Sequence, residues 1–318
     1  MTSSPHRPWW TTAAAVLLAI LCGVGMAAQA RINGELSVRI DNGVLAALIS
    51  FGIGMVIVAV AMLVSPASRR GLGEVLTQVR ERRIPWVYLI GGMGGAFLVL
   101  SQGLVAASLG VALFSIGVVA GQTLSGLVID RRGVGTMGPR PITAPRVIGA
   151  LLALAAVVYA GWSQLDGSTA VWLIVLPFLA GIGIAWQQAF NGQVREVSGS
   201  AITATFVNFV AGTTVLIIAT LVASIWRGWP SELPTDPVVY LGGVIGVIFI
   251  AGGAIAVRYL GVLLLGLGMI SGQLIGSLVL DLVVPAEGHE LGIPTVVSTI
   301  VTLLAVSLTI LGGRRRRA

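Results

Sequence analysis

The chain alternates long apolar runs with short breaks that are charged or rich in Pro and Gly. Crossing a 30 Å hydrocarbon core takes about 20 helical residues. Runs of that order fall at roughly 11–31, 43–65, 85–108, 110–130 and 145–164. They recur at roughly 171–190, 201–225, 237–258, 261–284 and 292–313. The pattern predicts ten transmembrane helices, separated by stretches such as SPASRRGLGEVLTQVRERRIP (65–85), RRGVGTMGPRPITAPR (131–146) and RGWPSELPTDP (227–237). The first run also resembles a signal peptide, because Arg7 precedes it and Ala28-Gln29-Ala30 has the form of a cleavage site. Cleavage there would remove Gln29, which has a counterpart at Gln187, so the run is kept as the first span.

The polar interruptions repeat. Residues 91–130 and 242–281 align without a gap and share 13 of 40 positions, including Gly110/Gly261, Gly121/Gly272, Gln122/Gln273 and Asp130/Asp281. Residues 25–54 and 183–212 share 8 of 30, including Gln29/Gln187, Asn33/Asn191, Gly34/Gly192, Phe51/Phe209 and Gly54/Gly212. Composition alone gives roughly one match in ten. Both blocks occur in the same order in each half, so the chain divides into two related five-helix repeats, 1–166 and 167–318, within one membrane domain.

Composition fixes the solvent. With 56% apolar residues, 43 Gly among 318 residues, 10% charged and mean hydropathy +0.98, the chain is an all-α integral membrane protein. Its basic residues are all Arg, so the high pI is a matter of position relative to the spans and not of nucleic-acid binding. With the N-terminus cytoplasmic, 16 Arg lie inside and three (Arg31, Arg39, Arg227) outside, which places both termini in the cytoplasm of a multi-pass inner-membrane protein. Five crossings per half is odd, so the second half enters inverted. Inverted repeats are a known route to alternating access around a site near the midplane. The single Cys22 excludes an intrachain disulfide.

Several stretches resemble the bacterial YdcZ family of the drug/metabolite transporter (DMT) superfamily. These are Gln29-x3-Asn33-Gly34, AALISFGIG (46–54), WVYLIGGMGG (86–95) and AGQTLSGLVIDRRG (120–133), the strongest being Gly121-Gln122-x7-Asp130. Family members are typically single five-span units, and this chain looks like two of them fused. The second half departs at Asn208, where the first has Ser50, and at Leu282, where the first has Arg131. The resemblance implies a ten-helix transporter fold and the export or facilitated passage of a small molecule.

Polar residues inside spans are costly and mark candidates. Gln122 and Gln273 sit near mid-membrane, either lining a common substrate cavity or bonding helix to helix. Gln29 with Asn33, and Gln187 with Asn191, are four apart and share a helical face, as pathway linings or as partners for helix-end carbonyls. Asp130 and Asp281 at span ends are gate or protonatable candidates, against the plainer reading of an interfacial cap or an ion pair with Arg131 and Arg132. Trp186, within span six, is a candidate substrate contact, while the other Trp residues sit where an aromatic belt belongs. The Gly91, Gly92, Gly94, Gly95 and Gly242, Gly243, Gly246 clusters read as close-packing surfaces.

The function expected is a secondary transporter or exporter. It would move a small, neutral or weakly charged metabolite or drug, since no span carries a charge near its centre. The alternatives are a non-transporting membrane subunit or scaffold, and a membrane-embedded enzyme, for which only His6 and His289, both outside the spans, are on offer. A nucleotide-binding G-x-x-x-x-G-K-[ST] is excluded because the chain has no Lys. No metal and no cofactor are expected. The partners are the substrate and the bilayer, with monomer and homodimer both open.

Overall fold

The computed structural model describes residues 9–134, 139, 141–162, 172–229, 232–284 and 292–314. The first part of the chain forms α1 (Trp9–Ile40), α2 (Gly43–Val64), α3 (Pro66–Arg80), a 3-10 turn (Trp86–Ile90), α4 (Gly92–Ser101), a π turn (Gln102–Ala106), α5 (Ala107–Leu109), α6 (Val111–Arg132) and α7 (Ala144–Trp162). The rest forms α8 (Trp172–Ser198), α9 (Ala201–Arg227), a 3-10 turn (Pro237–Tyr240), α10 (Leu241–Val283) and α11 (Ile293–Arg314). Among the described residues, six helical stretches are long and apolar enough to cross a membrane: Trp10–Ile40, Gly43–Val64, Trp86–Leu109, Val111–Arg132, Leu173–Ser198 and Ala201–Ile225. Four shorter apolar helical stretches, Ala144–Ala160, Pro237–Gly253, Gly268–Val283 and Ile293–Leu308, coincide with the remaining predicted runs.

Local chemistry sets the ends. Asn42 caps α2 by accepting a 3.0 Å hydrogen bond from the Leu45 N–H, after Asp41 turns the chain at φ 49°. Ser65 caps α3 through the Ser68 N–H, with Pro66 in the first turn, where its missing N–H costs nothing. Ser200 caps α9 through the Thr203 N–H. Gly110, at φ 76° and ψ 154°, separates α5 from α6 in a conformation that a side chain would strain.

Two boundaries differ from the apolar pattern. α1 continues to Ile40 instead of ending near 31, because Arg39 pairs with Glu35 one turn back (2.8 Å) and reaches Asp236 (2.9 Å) across the loop. The break at 65–85 holds a further helix, α3, which buries Ser68, Gly71 and Val75 and exposes Arg69, Arg70 and Arg80. The Thr203 hydroxyl donates to the Ser68 carbonyl (2.8 Å) and the Ser68 and Ser200 hydroxyls lie 2.9 Å apart, so α3 is docked on the α8–α9 turn.

α10 is one run of helical residues where two spans are predicted, yet its contacts reverse direction. Gly252 lies against Cys22 and Gly246 against Gln29, so this part runs antiparallel to α1. Gly268 lies against Ala19, Gly272 against Ile20 and Gly276 against Val24, so the later part runs parallel to it. A straight helix would separate residues 252 and 268 by roughly 24 Å, whereas both lie beside residues 18–22 of α1. The chain therefore doubles back between them. α8 is held the same way: Gly95 and Gly91 face Gln187 and Phe190, antiparallel, while Gly117 and Gly121 face Pro177 and Phe178, parallel.

Each half's first helix thus packs into the hairpin of the other half. The closest approaches recur at matching positions. A Cβ on Gly181 would overlap the Val118 carbonyl, and one on Gly23 the Met269 carbonyl; the same holds for Gly121 with Phe178 and Gly272 with Ile20. Small residues let backbones meet, which is what drives helix association where lipid removes the hydrophobic incentive. α6 is at the centre of the assembly, with every residue from Val111 to Gly121 buried. Around it one core gathers Met26 and Ala27 of α1, Val157 of α7, Ile184 of α8, Leu274 of α10 and Val306 of α11.

Candidate functional site

Two buried amide clusters lie where each first helix meets the hairpin of the opposite half. In the first, Gln29 (4% exposed) donates from Nε2 to the Gly242 carbonyl (2.9 Å), and Asn33 (0%) donates from Nδ2 to Gln102 Oε1 (2.6 Å). Gln102 opens the π turn, a distortion that frequently marks functional positions. The Asn33 Oδ1 and Ser50 Oγ have no hydrogen-bond partner, and both face the Cα of Gly242.

In the second cluster, Asn191 donates from Nδ2 to Asn208 Oδ1 (3.0 Å). Gln187 Oε1 and Asn208 Nδ2 are buried without a partner. The cluster lies against the Gly91–Gly95 stretch: Gln187 Oε1 would be 2.5 Å from a Cβ on Gly95, and Asn191 Oδ1 3.4 Å from one on Gly91. Half-buried Trp186 continues this face into an aromatic trio. Its ring meets Phe190 edge-on at 5.7 Å, and Phe190 meets Tyr88 at 5.3 Å.

Between the clusters α2 and α9 cross through Phe51 and Phe209, whose ring centroids lie 4.9 Å apart. A Cβ on Gly54 would overlap the Phe209 ring, and one on Gly212 the Phe51 ring. Both rings are buried, so this is an apolar contact between the second helices of the two halves. Two surface grooves lie on the apolar outer faces of α7 (Leu151, Leu154, Val158, Tyr159) and α1 (Thr12, Val16, Leu17).

The chain matches the model of the family described as "Putative inner membrane exporter, YdcZ" twice, over residues 14–159 and 172–308. It belongs to the YdcZ family. No curated protein matches it. A solved structure titled only "Crystal structure of protein" is similar over 97% of this chain and 99% of that one, with a TM-score of 0.57 at 18% identity, which shows a shared fold. The chain is accordingly a two-unit YdcZ protein, multi-pass in the inner membrane.

The remaining sequence candidates of this YdcZ protein are placed as follows. Gln273 is buried (4% exposed) on α10 and Gln122 half-buried on α6, each with its backbone N–H beside a glycine of the opposing first helix, Gly23 and Gly181. Asp130 pairs with Arg146 at the start of α7, and not with the neighbouring Arg131 and Arg132, which are exposed. Asp281 accepts hydrogen bonds from the N–H groups of Val111 (3.0 Å) and Ala112 (2.7 Å), capping α6 from the other half. Sequence reasoning passed over Gln102, Tyr88, Phe190 and Arg146, because their roles depend on partners up to about a hundred residues away. It noted Asn208 only as a departure from Ser50, and that departure is where the second cluster finds the amide that Gln102 supplies in the first.

Proposed function

We propose that this YdcZ protein is a secondary exporter that moves a small, neutral or weakly charged organic molecule by alternating access. On this reading ten crossings are arranged as two inverted five-helix halves, 1–166 and 167–318, with both termini cytoplasmic. The observation that carries it is the reciprocal exchange of first helices, which gives two matching polar clusters either side of the Phe51–Phe209 contact.

The contacts between loop regions support the crossing count. In ten crossings, α3 and the α8–α9 turn share the inner side, and they touch at Ser68 and Ser200. Arg39 and Asp236 share the outer side and pair. So do Asp281 and the N-terminus of α6. The Phe51–Phe209 contact is the element that separates the two accesses, and Asp281 and Asp130 are the end contacts that exchange as the halves rock. Gln122, Gln273, Gln29, Asn33, Gln187, Asn191 and Trp186 line the pathway.

Substrate-dependent counterflow in proteoliposomes tests the reading, with candidates chosen by thermal shift because a ligand that binds the folded state raises its melting temperature. Gln122→Leu and Gln273→Leu are expected to lower flux at a near-native melting temperature. Loss of stability with unchanged flux per folded molecule would make those amides interhelical bonds and remove them from the pathway.

A further inference from the structure

The two amide clusters occupy matching positions, and each keeps two buried polar atoms without a partner: Asn33 Oδ1 and Ser50 Oγ in the first, Gln187 Oε1 and Asn208 Nδ2 in the second. In the first cluster Gln29 is bonded to Gly242 and Asn33 to Gln102. In the second, Gln187 (7% exposed) buries an unpartnered Oε1, and Asn208 (1% exposed) an unpartnered Nδ2. A buried amide atom left without a partner keeps its desolvation cost unrepaid. The second cluster leaves one amide acceptor and one amide donor free, the complement of a ligand's N–H and carbonyl.

The second cluster is also the one with aromatic walls. Trp186, Phe190 and Tyr88 stand where the first copy has Ala28, Ile32 and Val239. Phe190 and Gln187 both lie against the Cα of Gly91. Gln187 and Phe190 of α8 therefore lie over one glycine stretch, with Trp186 and Tyr88 against the Phe190 ring and Asn208 of α9 bonded to Asn191.

We propose that this cluster is a ligand site for the amide edge of a flat, uncharged ring compound: a carboxamide or lactam attached to or fused with an aromatic ring. The exporter reading enters only in taking that ligand to be cargo. Gln187 Oε1 accepts the ligand N–H, Asn208 Nδ2 donates to the ligand carbonyl, and Asn191 holds Asn208 in place through its Oδ1. Trp186 and Phe190 take the ring, which they can do by edge or offset contact. Gln187, Asn191 and Asn208 are all neutral, so the site selects by hydrogen-bond pattern and shape. In the arrangement described above, α8 and α4 meet across this site, and ligand entry separates them.

The test uses the full-length protein in nanodiscs with benzamide and N,N-dimethylbenzamide, which share a ring and a carbonyl but differ in the N–H. Binding is followed by tryptophan quenching and by thermal shift. The expected result is a preference of about tenfold or more for benzamide, the size of one hydrogen bond to a polar group that is otherwise unpaired. Gln187→Leu and Asn208→Leu should each erase the preference; Gln187→Leu should leave the melting temperature at or above wild type, since an apolar group then replaces an orphaned one, whereas Asn208→Leu also removes the acceptor of Asn191 Nδ2 and should lower it. If Gln187→Leu fails to accumulate, Gln187→Met with its unbranched chain takes its place. Trp186→Phe should weaken both ligands alike. Equal binding of the two amides, no binding of either, or a melting temperature several degrees lower in Gln187→Leu would overturn the site. If the binding pattern holds while counterflow of benzamide is nil, the site stands and the exporter reading fails. Counterflow of other compounds without amide discrimination overturns the site alone.

Discussion

The carboxylate of Asp281, at the end of α10, accepts the N–H of Val111, at the start of α6, across 170 residues of sequence. A second bond from Ala112 makes the carboxylate a cap for a helix to which it does not belong. The start of α6 has no side-chain cap of its own, because Gly110 occupies the position. Removing Asp281 leaves those donors unpaired in a half-buried place. Asp281→Ala is expected to cost about 1 kcal/mol, the usual worth of a helix cap, and Asp281→Asn less, since its carbonyl still accepts one bond. Thermal melts of the purified protein check the order wild type, Asn, Ala.

Helix exchange makes a sharp prediction about methyl groups. A Cβ on Gly92 would overlap the Asn208 carbonyl and one on Gly243 the Ser50 carbonyl, whereas one on Gly52 meets nothing within 4 Å. Gly92→Ala and Gly243→Ala should each destabilise by about 1–3 kcal/mol or prevent folding, as overpacking does. Gly52→Ala should be within about 0.5 kcal/mol of wild type. Yield of monodisperse protein and melting temperature separate the two classes.

The exposed pair Arg39–Asp236 gives a pH signature. The Val238 N–H, and after it the Arg39 guanidinium, hold the Asp236 carboxyl below its ordinary 3.8. A carboxyl whose folded value is lowered contributes stability above the unfolded value and loses it as pH falls through the folded one. The difference in melting temperature between wild type and Asp236→Asn should therefore be present at pH 7 and vanish as the pH drops below 3.8. High salt should shrink it too, because the pair is exposed.

Orientation can be read chemically. Cys22 is buried, so introduced cysteines report alone. Gly73 on α3 has open space around it, and Leu233 in the loop before α10 is 54% exposed. Gly73→Cys should react with an impermeant maleimide only after the membrane is opened, and Leu233→Cys in intact cells. The reverse pattern would turn the proposed topology over.

Much of this was legible along the chain, for reasons that differ by element. Hydrocarbon demands long apolar helices, so the spans announce themselves, and duplicated glycines announce the contacts they will make: Gly54 with Gly212, Gly121 with Gly272. α3 falls outside the span pattern because it carries three arginines. Its signal was nonetheless present in Ser65-Pro66 and in Leu72, Val75 and Val79 at helical spacing. The amide residues could be singled out by cost alone, but which of them would be satisfied could not. Whether Gln187 finds a partner depends on Gly91 and Asn208, and whether Asp281 guards a charge or caps a helix depends on Val111. Those relations exist only after the halves interlock.

The interlock has a consequence for how the protein is made. α1 leaves the ribosome first, yet the surfaces it packs against, around Gly246 and Gly272, are synthesised more than two hundred residues later. At 5–20 residues per second that interval is on the order of tens of seconds. During it the first helix stands in lipid with Gln29 facing no mate, since the Gly242 carbonyl it bonds has yet to be made, and the nascent bundle must hold a place open for a hairpin that does not yet exist. Translation speed and the insertion machinery are thus part of this molecule's folding problem, and a slowed ribosome between the halves would lengthen the exposure of Gln29.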